Sequence, residues 1–95
     1  MVTQGSSRDP RKDFTHVTPG GRRMEFKHFT KGTRGEAWEC DGQERWPFAN
    51  ILRLVHMFKD DTWQAFTELE DLGPPSPSRA KALAALAREF DKDGQ

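Results

Sequence analysis

The chain has 95 residues, and its 15 Lys/Arg balance its 15 Asp/Glu to a formal net charge of zero at pH 7. Hydrophobic residues make up 34% and the mean hydropathy is −0.89, and no apolar run approaches the roughly 20 residues of a membrane-crossing helix. Neutrality argues against a strong non-specific nucleic-acid binder, and a lone cysteine, Cys40, excludes an internal disulfide framework.

The charge is unevenly spread. Residues 1–35 carry a net +5 and residues 36–95 a net −5. The N-terminal "MVTQGSSRDPRKDF" lacks the apolar core of a secretory signal. With the single cysteine, this gives a cytoplasmic expectation.

Residues 1–22 are rich in Gly, Ser, Thr, Pro, Arg and Asp, and "TPGGRR" is a cluster of chain breakers. They read as a flexible basic arm. Met24–Thr30 then alternates as a strand, and Glu36–Asp41 reads as its partner. Placing Thr30 opposite Glu36 sets His28 against Trp38, Phe26 against Cys40 and Lys27 against Glu39, so apolar and charged pairs fall into register together. Asp41-Gly42 is a two-residue turn signal, with a short third strand over Gln43–Trp46. Both faces of this sheet carry aromatics. One is expected to pack on helices and the other to serve as a contact surface.

Beyond Pro47 the period changes. Phe48, Ile51, Leu52, Val55 and Phe58 recur at helical spacing, predicting a helix over 48–59. Asp61 with Gln64 matches a capping box for a second helix over 62–72, and Gly73 with "PPSP" stops it. Ser76-Pro77 suits the start of a third helix, with Ala80, Leu83, Ala87 and Phe90 on one stripe. The expected fold is α+β: a short two- or three-stranded antiparallel sheet followed by three helices, in a single small domain over 23–93.

The stretch "KGTRG" at 31–35 joins the first two strands. It is a turn whose glycines supply positive φ and whose tip, Lys31, Thr33 and Arg34, can lie along a phosphate backbone. With Arg22, Arg23 and Lys27 it outlines a basic stripe. It is not a P-loop, since the Gly-x-x-x-x-Gly-Lys-Ser/Thr pattern is absent. Glu68, Glu70 and Asp71 mark an acidic face on the middle helix. Trp46 and Trp63 are the choices for an aromatic interface anchor.

No Cys-x-x-Cys or His-x-x-x-His spacing organises a metal site, no cofactor motif occurs, and Glu39 and Asp41 beside Cys40 disfavour its thiolate. His28, Arg34 and Glu36 are the residues that a small hydrolase or nuclease would have to use. Lacking a catalytic constellation, the chain reads as a non-enzymatic regulatory or adaptor protein of the kind found among bacterial and phage accessory proteins. It is expected to bind a protein partner, with Trp46, Trp63, Glu68 and Asp71 at the interface, and to form a homodimer. The alternative is a nucleic-acid-binding module that uses the arm and the 31–35 tip.

Overall fold

The computed structural model describes residues 9–45, 48–68 and 70–93, and for 41–45, 48–50 and 93 it describes the backbone. A 3-10 turn over Pro10–Lys12 leads into five strands: β1 (Phe14–Val17), β2 (Arg23–Lys31), β3 (Gly35–Arg45), β4 (Phe48–Met57) and β5 (Thr62–Phe66). A helix, α1 (Arg79–Asp93), closes the chain. The strands form one antiparallel sheet in the order β1-β2-β3-β4-β5, a simple meander.

This overturns the expected sheet of two or three strands with three helices. Among the described residues there are five strands and one α-helix. The expected helix over 48–59 is β4, a central strand paired on both sides. Its apolar residues do not share one face. Leu52 and Leu54 are fully buried under α1, while Ile51, Val55 and Met57 alternate onto the opposite face. A strand apolar on both faces mimics a helical period, and only tertiary pairing separates the two readings.

The expected helix over 62–72 is also absent. Residues 62–66 form β5, and Asp61 sits in the β4–β5 turn with φ 52° instead of capping a helix. Asp41-Gly42 does not turn either. β3 runs through it, with an irregularity between Asp41 and Glu44. β1 lies within residues 1–22, so the sheet begins nine residues before Arg23. Residues 1–8 lie outside the described residues.

The register of β2 with β3 is as predicted at its core: Phe26↔Cys40, Lys27↔Glu39 and His28↔Trp38. A bulge between His28 and Thr30 then shifts it, so that Lys31, not Thr30, faces Glu36. Bulges bend a strand and raise its twist, which suits a sheet that curls around α1.

The concave face carries the core. Met24, Phe26, Trp38, Cys40, Leu52, Leu54 and Ala65 pack against Ala82, Leu83, Leu86, Ala87 and Phe90 of α1. Each fully buried large side chain contributes about 1.5–3 kcal/mol. Ser78, not Ser76, caps the helix: its Oγ accepts from Lys81 N–H at 3.2 Å. The Asp91 carboxylate takes Thr18 Oγ1–H and Gly20 N–H, tying the far end of the helix to the β1–β2 turn.

The connection from β5 to α1 doubles back along β5. Trp63 and Ser76 exchange two backbone hydrogen bonds, Leu72 N–H donates to Ala65 O, and Gln64 Nε2 donates to Gly73 O. Gly73 takes φ +108°, and the prolines that follow keep this edge from offering a full ladder.

Candidate functional site

Three regions carry polar or aromatic groups beyond the needs of the core. The first is the end of the concave face that α1 leaves uncovered. Here the bulge after His28 brings β2 and β3 together so that His28 Nε2 lies 2.8 Å from Glu36 Oε1. His28 is fully buried and Glu36 nearly so. The 3-10 turn folds over them. Asp9 N–H donates to His28 Nδ1 at 3.0 Å, and Lys12 Nζ donates to the same Glu36 oxygen at 2.7 Å. Trp38 Nε1–H donates to Lys12 O, and Asp13 Oδ1 accepts from His28 N–H.

These bonds fix the histidine tautomer. Nδ1 accepts a backbone N–H, so the ring proton sits on Nε2 and is given to Glu36. Burial pushes the Glu36 carboxyl up. The Lys12 ammonium and the His28 N–H together outweigh it and hold the group below its ordinary value. Of the three residues that an enzyme reading would need, His28 and Glu36 converge. Arg34 does not join them: it is exposed at the hairpin tip.

Beside this pair runs an aromatic stack. His56 lies flat on Trp63 with ring centroids 4.0 Å apart, and Trp63 stacks on Trp38 at 5.8 Å. Phe14 meets Trp38 edge-on and stacks on Phe26. Arg79 lies over Phe14 at 4.5 Å and over Trp63 at 5.7 Å. Trp63, a predicted interface anchor, is therefore built into an internal stack. Its outer rim borders a cleft of about 380 Å³ between β5, the proline-rich connection and α1.

The second region is the 31–35 tip. Lys31, Thr33 and Arg34 are exposed. Neither Gly32 nor Gly35 has the positive φ that the sequence suggested. Gly35 serves close approach instead: a Cβ there would lie 2.4 Å from the His56 carbonyl oxygen. The tip is fastened to the β4–β5 turn, where Phe58 N–H donates to Arg34 O at 2.9 Å. The predicted basic stripe is broken up. Arg22 Nη1 donates to Phe90 O at 3.0 Å, and its guanidinium lies 4.5 Å over the Phe90 ring. Arg22 thus closes the C-terminal end of α1. Arg23 is exposed beside it. At about 3.3 Å per residue along β2, both lie roughly 25–30 Å from Lys31.

The third region is the convex face of the sheet, which no helix covers among the described residues. Phe29 and Met57 are 36% and 39% exposed, and Ile51, Val55 and Phe66 are half-buried. Lys27, Glu39 and Arg53 form one cross-strand row, positive, negative, positive, with Arg53 Nε 2.9 Å from Glu39 Oε2. Arg53 also lies 5.5 Å over the Phe29 ring.

Glu68 and Asp71 are exposed, but on the loop after β5 and not on a helix, so the acidic helical face does not exist. Trp46 lies outside the described residues. Sequence reasoning missed Lys12 because it assigned the turn that carries it to the arm. The alternation of Ile51, Val55 and Met57 is the signal that could have revealed the convex face.

Among the described residues, no group of three or more His, Cys, Asp or Glu side chains is placed to hold a metal ion. No helix among them is long and apolar enough to cross a membrane. No protein-family model, curated protein or solved structure matches this chain.

Proposed function

We propose that this chain is a small non-enzymatic regulatory or adaptor protein that acts by protein–protein binding, as a homodimer formed through the convex face of its sheet. One observation carries the reading. That face holds five apolar side chains around a charged row whose signs alternate, Lys27, Glu39, Arg53. A two-fold interface must be self-complementary. A row with both signs meets that demand, because each Glu39 can face the partner copy's Arg53, with Phe29, Val55 and Met57 supplying apolar area around it. The cytoplasm is the compartment that suits a single, buried cysteine, Cys40.

Sedimentation velocity tests the dimer. The wild-type chain is expected to sediment as a dimer at micromolar concentration, and Val55→Lys, at the middle of the face, as a folded monomer. A wild-type chain that stays monomeric at the highest soluble concentration contradicts the proposal.

The exposure of Lys31, Thr33 and Arg34 at one tip favours a second reading, a phosphate contact to nucleic acid. Fluorescence anisotropy with mixed DNA and RNA oligonucleotides separates the two. Affinity that falls steeply with salt and vanishes in Lys31→Ala/Arg34→Ala supports this second reading. No binding at low salt removes it.

A further inference from the structure

We propose that Glu36, oriented by His28, is a binding site for a primary ammonium group, filled in this chain by its own Lys12 and open to a lysine side chain of a partner protein. The site is separate from the convex face.

Two features argue for a built site instead of a chance ion pair. First, the carboxylate is positioned without Lys12. Glu36 sits on β3, paired to Lys31 on one side and His56 on the other. The fully buried His28 donates from Nε2 to its Oε1. When Lys12 leaves, the acceptor stays where it is, desolvated and short of a cation. Second, the occupant arrives from outside the meander, on a single 3-10 turn, and its side chain remains 35% exposed. Solvent therefore reaches the pair along the lysine, which is the path an incoming amine would take.

The turn is also held as a bound peptide would be. His28 Nδ1 accepts a backbone N–H, Trp38 Nε1–H donates to a backbone carbonyl, and Glu36 accepts from the lysine. Main-chain contacts hold the segment and one charged pocket reads its side chain. Lys31, the cross-strand neighbour of Glu36, is exposed, and the ion pair goes to Lys12.

Chemical rescue of Lys12→Ala in the full chain tests the site. Methylammonium is expected to raise its melting temperature by about 6–11 °C at ten times the dissociation constant. Lys12→Ala/Lys31→Ala should respond at least as strongly, because the neighbouring lysine can no longer swing in. Lys12→Ala/Glu36→Gln should not respond, and neither should Lys12→Ala in tetramethylammonium, which has no N–H to donate, at equal ionic strength. If Lys12→Ala is unfolded at 25 °C, the expected result is recovery of its folded circular dichroism signal on adding methylammonium. Nα-acetyl-lysine amide acting at lower concentration than methylammonium supports a polypeptide lysine as the ligand, and the reverse order replaces it with a free amine. No methylammonium effect, or an equal effect in the Glu36→Gln double variant or with tetramethylammonium, overturns the proposal.

Discussion

Replacing Gly35 with alanine should damage this protein more than its place in a hairpin suggests. The added Cβ would sit 2.4 Å from the His56 carbonyl oxygen and 3.4 Å from Met57 Cα, both of them backbone atoms. The closest contact is about 1 Å inside ordinary van der Waals range, so β3 and β4 must move apart locally. Overpacking of this kind costs about 1–3 kcal/mol. The shift also strains the two backbone bonds that flank the site, Gly32 N–H to Gly35 O and Phe58 N–H to Arg34 O. If each strained bond forfeits about half of the ~1 kcal/mol that a typical bond contributes, the total comes to about 2–4 kcal/mol. For a domain of this size that lowers the melting temperature by at least about 8 °C. Thermal unfolding followed by circular dichroism measures it. Gly21→Ala is the comparison: Gly21 has φ +85° and open space around its Cβ position, so only its backbone preference is lost, at about 1 kcal/mol. A melting temperature for Gly35→Ala within about 2 °C of wild type, or above that of Gly21→Ala, would refute the reasoning.

Two other outcomes follow from the same geometry. The Glu36 carboxyl is held below its ordinary value of 4.5 in the folded chain, so its ionised form stabilises the fold fully above that pH. The contribution is lost as pH falls through the lower folded value. Urea unfolding at several pH values should show this loss for wild type and a shallower one for Glu36→Gln. Arg22→Ala removes one hydrogen bond to Phe90 O and the contact over the Phe90 ring. It should cost about 1–2 kcal/mol in urea unfolding and leave any oligonucleotide affinity unchanged, since this arginine is committed to the helix end.

The parts of the fold that were legible in the sequence are those set by local pairing. Phe26, Lys27 and His28 find Cys40, Glu39 and Trp38 because apolar and charged pairs fall into line together at this register. The terminal helix was visible in its alanine-rich, high-propensity run, although its cap falls at Ser78. β4 was not legible. Leu52 and Leu54 go under α1, and Ile51, Val55 and Met57 go to the opposite, convex face, so the strand carries apolar residues at both parities. β5 was disguised by Asp61 and Gln64, which mimic a cap while Asp61 in fact occupies a tight turn.

The candidate site divides in the same way. His28 and Glu36 could be named together, but their meeting depends on a bulge that no residue type announced. Lys12 was hidden because its turn is held by Asp9, Trp38 and Glu36 contacts that span 19 to 26 residues. The tip residues Lys31, Thr33 and Arg34 were correctly read as projecting. The reason for Gly35 was not, because close approach to β4 requires knowing that β4 is a strand.

The most direct test of the homodimer is a charge-exchange experiment on the convex face. Glu39→Arg leaves two positive groups where the wild type has a pair, and Arg53→Glu leaves two negative ones. Sedimentation velocity should find each variant monomeric alone, through like-charge repulsion across the two-fold. An equimolar mixture should sediment as a heterodimer, because each variant then supplies the sign the other lacks. A mixture that stays monomeric while the wild type dimerises would contradict the Glu39–Arg53 pairing, and a monomeric wild type would contradict the homodimer itself.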